Sequence, residues 1–223
     1  MRFAAVVAAA GSSVRFGGTK KEYCILDGLP VLAHSVLLFL QLRTCAGVVV
    51  VVPPGGEGDA RAALGPDLIA RAGPLLQFVE GGRERSDSVK AGLMALRSVD
   101  PELVLVHDAA RPWASRALVE RVLAETARSG ACMPAVSAAG TAAPGDSAGF
   151  ILDRMAGSRS GEAQTPQGFQ YRGLLSAYLS RGASAAAAAD DAGVWVMAGG
   201  TVAVVEGEPS NIKVTFPGDL PSD

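Results

Sequence analysis

Val6-Val7-Ala8-Ala9-Ala10-Gly11-Ser12-Ser13-Val14-Arg15-Phe16-Gly17-Gly18-Thr19-Lys20-Lys21-Glu22-Tyr23 is the stretch around which the rest of the chain is organised. From Phe3 to Ala8 the residues are continuously apolar, the pattern of a strand buried on both faces in a parallel sheet. The strand runs directly into small residues, glycines and a basic cluster. Glycine and serine let a backbone approach an anion closely, and successive N–H groups form a concave nest. Arg15, Lys20 and Lys21 add positive charge, so the loop suits phosphate, although the same composition also fits an ordinary turn with solvated basic residues. Two familiar phosphate loops are excluded by spacing. Lys20 is followed by Lys21 where the P-loop requires Ser or Thr, and Ser12-Ser13 stands where the dinucleotide fingerprint requires its second glycine.

Outward from this loop the chain alternates strand and helix. Tyr23 to Pro30 reads as a short strand and turn, and Pro30 opens a helix from Val31 to about Arg43. Val48 to Val52 is a second buried strand, and a helix near Asp59 to Leu64 and a strand near Leu76 to Val79 follow it. A βαβ alternation predicts an α/β, Rossmann-like, mostly parallel sheet with helices on both faces. Later elements are a helix from Ser115 to Arg128, a strand from Ala131 to Val136, a helix from Tyr171 to Leu179, and strands at Val202 to Val205 and Ile212 to Thr215. The alanine-rich run Ser184 to Ala189 reads as helix by propensity or as low-complexity linker.

Two further stretches fall at strand ends, where open α/β sheets hold their ligands. In Gly81-Gly82-Arg83-Glu84-Arg85-Ser86-Asp87-Ser88 the paired glycines admit a flat base and Ser88 offers a hydroxyl to its edge; Ser86 or Asp87 is equally a candidate helix cap. The buried strand Leu103 to Val106 leads into His107-Asp108-Ala109-Ala110-Arg111-Pro112. It delivers a carboxylate to the same rim, and a hard oxygen ligand beside a triphosphate is what Mg2+ takes, usually from one or two protein carboxylates. His107 reads as a hydrogen-bonded structural residue. With two histidines far apart and no cysteine cluster, a zinc site is not expected.

The 223 residues fit one large domain or one domain with an appendage, and are read as a single domain, 1–223. A net charge of −2 with 19% charged residues argues against a nucleic-acid partner held by a basic surface, and no apolar run reaches membrane-spanning length. The N-terminus lacks the pattern of a signal peptide, and Cys24, Cys45 and Cys132 form no CxxC pair. A cytoplasmic protein with reduced cysteines is expected. From Ser137 to Ala163, Ala, Gly, Ser, Pro and Asp dominate and cannot supply core; residues 137–163 read as a projecting arm or hairpin ordered against a partner.

Taken together, Ala9-Ala10-Gly11 with Arg15 and Lys21, Gly81-Gly82 with Arg85 to Val89, Val106 to Pro112, Thr165-Pro166-Gln167 and Asn211-Ile212-Lys213 resemble the 2-C-methyl-D-erythritol 4-phosphate cytidylyltransferase family over nearly the whole chain. The resemblance implies that Ala9, Ala10, Gly11 and the nest after them hold the triphosphate of CTP, and that Gly82 and Ser88 read cytosine. Arg15, Lys21 and Lys213 would act catalytically on charge at the α-phosphate. Asp108 would bind Mg2+ and help place the acceptor, with Arg111, Thr141, Arg154 and Thr165 completing the acceptor site. The arm would cross to a second subunit, making a homodimer the expected assembly. Arg159 rivals Arg154 as the arm arginine. Lys20 stands where relatives commonly have proline, and the Glu-Tyr that follows favours Lys21 as the phosphate-facing lysine. Ala189 replaces a family threonine before Asp190. A ribitol 5-phosphate cytidylyltransferase is the nearest rival, and a nucleotide-binding module without chemistry is the remote one.

Overall fold

In the computed structural model the described residues are 1–18, 20–137 and 161–221. In chain order the elements are β1 (Phe3–Ala8), β2 (Ile25–Leu26), β3 (Leu29–Pro30), α1 (Val31–Leu40), β4 (Cys45–Val52), α2 (Glu57–Leu64), α3 (Pro66–Ala72), β5 (Leu76–Glu80) and α4 (Arg85–Ala95). They continue as β6 (Leu103–Asp108), α5 (Arg116–Ser129), β7 (Ala131–Ser137), β8 (Gly161–Ala163), β9 (Gln167–Gln170), α6 (Tyr171–Arg181), α7 (Asp191–Met197) and β10 (Ala203–Glu206).

The main sheet has the order β10-β7-β9-β6-β1-β4-β5, with β8 added alongside β7. β1 pairs in parallel with both β4 and β6, and β4 in parallel with β5. The chain therefore winds outward from β1 in one direction and then starts again on its other side at β6. That reversal opens a crevice at the carboxyl ends of β1 and β6, the usual ligand position in such sheets. The far half is mixed: β9 runs antiparallel to both β6 and β7, and β10 parallel to β7.

Alternate residues of the central strands feed two cores. Phe3, Ala5 and Val7 join Leu32, Val36, Phe39 and Leu118 on the face covered by α1, α2 and α5. Ala4 and Val6 join Val89, Leu93, Phe169, Leu174 and Tyr178 on the face covered by α4, α6 and α7. Burial on both faces explains why β1 and Val48 to Val52 of β4 are apolar without alternation.

Helix α4 sits unusually close to the sheet because Gly92 has no side chain to hold it off. A Cβ there would lie 2.5 Å from Val6 Cγ1 and 3.0 Å from Val51 Cγ2, both in buried strands that cannot give way. Gly92→Ala is expected to cost about 1–3 kcal/mol of stability by overpacking. The check is a lower urea midpoint at unchanged m-value.

Several elements differ from their sequence reading. Ile212 to Thr215 forms no strand, because its only ladder-like bond is Val214 N–H to the carbonyl of Ala110, in the turn after β6, at 2.8 Å. The alanine-rich run is neither an α-helix nor a linker but a 3-10 turn over Gly182–Ala187 that buries Ala185. Ser86 does not cap α4; Glu84 is the N-cap residue, and Asp87 takes part in the cap from three residues on, its carboxylate accepting from the Glu84 N–H at 3.3 Å. Both ends of the arm belong to the sheet, Ser137 in β7 and Gly161–Ala163 in β8, so only residues 138–160 lie outside the described elements.

Candidate active site

Three strand ends converge on one cleft of about 440 Å³. From β1 come Ala10, Gly11, Ser12, Ser13, Val14 and Arg15; from β5, Gly82, Arg83, Glu84, Arg85 and Ser88; from β6, Asp108 and Ala110. Lys21, Glu22, Lys213 and Thr215 close the remaining side.

The first loop is shaped to bind an anion. Ser13 takes a left-handed conformation (φ 52), and its hydroxyl donates to Glu22 Oε2 at 3.1 Å. Among the described residues, the N–H groups of Gly11, Ser12, Ser13 and Val14 meet no backbone carbonyl. Two carbonyls of this stretch are engaged by Lys20, whose Nζ donates to Gly11 O and, at 3.4 Å, to Ala9 O, while those of Ser13 and Val14 accept from the N–H groups of Phe16 and Gly17. Lys20 therefore braces the loop, and Lys21 is the lysine that faces the cleft. Ala9, expected to contact the nucleotide, is 1% exposed and packs into the core, with its N–H on Val51 O.

Lys21 is 9% exposed and donates to the carbonyl of Val214 at 2.7 Å. Burial pushes its pKa below the usual lysine range; Lys213 and Arg15 act in the same direction, while Glu22 and Asp108 oppose it. Gly81 and Gly82 are required by close approach. A Cβ on Gly81 would fall 2.4 Å from Ser88 Oγ, and one on Gly82 2.3 Å from Asp87 Cβ. Ser88 is 3% exposed, and its hydroxyl donates to Glu84 O at 3.2 Å beside the two glycines.

Asp108, at the end of β6, is clasped by cations. Its Oδ2 accepts from Lys213 Nζ and its Oδ1 faces Arg85 Nη2 at 3.4 Å. Burial alone would raise its pKa, but Arg85, Lys213 and Arg111 together carry it well below the usual carboxylate range. Among the lining residues the five cations Arg15, Lys21, Arg83, Arg85 and Lys213 outnumber the three carboxylates Glu22, Glu84 and Asp108, which leaves the cleft attractive to a polyanion.

Thr165 and Arg111, expected at the acceptor site, stand next to Asp108 and are not among the residues lining this cleft. Thr165 Oγ1 accepts from the main-chain N–H of Asp108 at 3.0 Å and sits 3.1 Å from His107 Nδ1, so it fixes the backbone at the end of β6. Arg111 is 5% exposed and donates to the carbonyls of Asn211 at 2.7 Å and Ala163 at 3.3 Å, tying the Lys213 segment and β8 to the turn after β6. Asn211 Nδ2 in turn donates to Thr165 O at 2.9 Å. His107 is completely buried, with Nε2 3.1 Å from Arg111 O, and burial pushes its pKa down to about 4; it is a neutral structural residue. Thr141, Arg154 and its rival Arg159 lie outside the described residues.

Sequence reasoning assigned no role to Arg85, Glu22 or Asp191. Arg85 was legible as a cation three residues beyond the paired glycines, at the first turn of a helix whose N-terminus enters the cleft. Asp191 carries no such signal, since an Asp-Asp pair ahead of a short helix looks like a capping element.

A doubly wound sheet with a cation-lined cleft and one acid at its reversal point defines a nucleotide-binding α/β protein of the nucleotidyltransferase type. Residues 3–222 match the model of the family described as IspD, 2-C-methyl-D-erythritol 4-phosphate cytidylyltransferase, and the chain belongs to that family. It is 41% identical over 96% of its length to a bifunctional enzyme IspD/IspF of Anaeromyxobacter dehalogenans, and covers 54% of that protein. It is 38% identical to the 2-C-methyl-D-erythritol 4-phosphate cytidylyltransferase of Pelotomaculum thermopropionicum, over 98% of this chain and 91% of that one. The crystal structure of the enzyme of that name from Thermus thermophilus superposes with a TM-score of 0.71 at 32% identity, covering 98% of this chain and 95% of the other. Thus the chain spans about half the length of its bifunctional relatives and nearly all of the monofunctional one.

Proposed function

We propose that the chain transfers CMP from CTP to 2-C-methyl-D-erythritol 4-phosphate, giving 4-diphosphocytidyl-2-C-methyl-D-erythritol and pyrophosphate, a step of isoprenoid biosynthesis. The observation that carries this reading is the placing of Lys21 and Lys213 with Asp108 in one cleft, between the open N–H groups of the first loop and the Gly82 to Ser88 turn. The loop after β1 holds the triphosphate. The glycine turn and Ser88 take the base, whose flat edge fits where side chains are absent. A phosphate oxygen of the acceptor attacks the α-phosphorus in line. The bond from that phosphorus to the bridging oxygen breaks, and pyrophosphate leaves with the electron pair. No protein nucleophile is needed, because positioning and charge neutralisation supply most of the rate in such transfers. Lys21, Lys213 and Arg15 neutralise the charge that builds on the α-phosphate.

The donor set also fits Mg2+. Asp108 is an ionised carboxylate with lone pairs free on both oxygens, and triphosphate oxygens complete a shell of the kind this ion takes beside one protein acid. No group of three or more His, Cys, Asp or Glu that could hold a metal without substrate exists among the described residues. When bound, the ion would neutralise charge on the triphosphate, and Asp108 would hold it.

The chain is further read as one domain with the 137–163 segment as an arm that completes the neighbour's site in a homodimer. Support for this is the composition of the segment and its start and finish at the sheet edge near Arg111. Among the described residues no helix is long and apolar enough to cross a membrane. The experiment that tests the function is pyrophosphate release with Mg2+, comparing CTP with UTP, ATP and GTP, and methylerythritol phosphate with ribitol 5-phosphate. Release confined to CTP with methylerythritol phosphate is expected. Activity with ribitol phosphate alone would move the protein to that sister reaction, and silence with every pair would leave a binding module.

A further inference from the structure

Behind the cleft wall lies a buried carboxylate that the transfer reaction does not use. Asp191, the first residue of α7, is 0% exposed. Its Oδ1 accepts from the hydroxyl of Tyr178 in α6 at 2.6 Å, and its Oδ2 accepts from Arg85 Nη2 at 2.7 Å. Tyr178 is itself 1% exposed, and among the described residues these two donors are what offsets the loss of water around the carboxylate oxygens. The same Arg85 nitrogen faces Asp108 Oδ1, but at the longer distance of 3.4 Å. A line of contacts thus runs Tyr178, Asp191, Arg85, Asp108, from α6 through α7 and α4 to the end of β6.

The two distances matter because Arg85 stands between rival carboxylates. An arginine beside a single aspartate closes to a short, commonly bidentate pair that occupies both oxygens. Here Asp191 holds the guanidinium back. Asp108 keeps Oδ1 only loosely engaged and available to a ligand, while Lys213 fixes Oδ2. Arg85 itself is ordered before any ligand arrives, so that its freedom need not be lost on binding.

We propose that Asp191, backed by Tyr178, is a positioning residue that restrains Arg85 and so keeps the Asp108 carboxylate open to a ligand in the cleft. Its kinetic consequence rests on the cytidylyl-transfer reading; its structural consequence does not. The test uses Asp191→Asn and Tyr178→Phe in the full chain. A crystal structure of ligand-free Asp191→Asn is expected to show Arg85 closed onto Asp108 at about 2.8 Å. Kinetically, the Mg2+ concentration that gives half-maximal rate rises about tenfold, as for other supports of an active-site ligand, while the KM for CTP at saturating Mg2+ stays within about twofold. Tyr178→Phe, which keeps the charge, moves both readouts the same way by less, and carries the test if Asp191→Asn does not fold. Arg85 unmoved in a folded Asp191→Asn protein overturns the proposal, and so does an unchanged Mg2+ requirement beside a lowered kcat, which a merely structural role would produce. A wild-type protein that releases no pyrophosphate sinks the transfer reading alone, since the crystal structures still decide whether Asp191 restrains Arg85.

Discussion

Replacing Lys21 by methionine is expected to lower kcat by about 10²–10³-fold, the usual cost of removing one preorganised charge from a transition state, while the folded protein is no less stable. Lys21 is nearly buried without a carboxylate in hydrogen-bonding contact; its one bond is to the Val214 carbonyl. Such a lysine is held at the expense of stability, and methionine keeps its packing while removing the desolvated charge. What methionine forfeits is the Val214 bond, worth about 1 kcal/mol. The pH dependence has a definite sign. The folded pKa lies below the ordinary 10.5, so the unfolded chain binds this proton more tightly, and stability rises as pH climbs from the folded pKa toward 10.5. Lys21→Met should remove that rise. Steady-state kinetics with thermal melts at several pH values checks both halves; a kcat within about fivefold of wild type would take Lys21 out of the chemistry.

Asp108→Asn is expected to lower kcat/KM by about 10²-fold or more, and here stability falls with activity. The carboxylate is the common partner of Lys213 and Arg85, and the amide leaves both cations facing each other across the wall. Removing one member of a fully buried pair costs about 3–5 kcal/mol. Lys213 and Arg85 side chains are 37% and 34% exposed, so water offsets part of the loss and about 1–3 kcal/mol is expected. Because the folded pKa of Asp108 is depressed, its contribution is complete above the ordinary 3.8 and is lost as pH falls from there through the folded pKa. Acid unfolding followed by circular dichroism should begin at higher pH in the wild type, relative to its own neutral stability, than in the asparagine variant. An unaltered acid limb would mean that Asp108 is not the carboxylate the cations hold.

Reading the sequence located β1, β4, β5, β6 and α4 because burial on both faces writes a continuous apolar run, and because helix α4 repeats its apolar residues at helical spacing. It missed β9, whose four residues are two glutamines, Gly168 and Phe169. Gly168 is there because a Cβ would meet Thr126 Oγ1 of α5 at 2.1 Å, a packing demand that propensity cannot express. It missed α3 and α7 as well, each of seven residues and too short to show a period. Of the candidate site, Gly11, Arg15, Lys21, Gly82, Ser88, Asp108 and Lys213 meet in the cleft, with Gly11, Arg15, Lys21, Gly82 and Asp108 at or after strand ends and Ser88 in the first turn of α4.

The sequence by itself determined the doubly wound half of the sheet, the phosphate-suited loop, the base-admitting glycines and the acid at the rim. Each follows from a local rule: apolar runs for buried strands, glycine for close approach, charge at strand ends. Only the tertiary structure decided which of two adjacent lysines faces the cleft, that Thr165 bonds the main chain of Asp108 while Arg111 ties in the Asn211 segment, and that Asp191 competes for Arg85. Apart from the short-range braces of Lys20, those assignments depend on pairs separated by 46 to 193 positions, Asn211 with Thr165, Arg85 with Asp191 and Lys21 with Val214 among them. No local propensity encodes such a pair, because it exists only once the strand order has brought the two segments to the same rim.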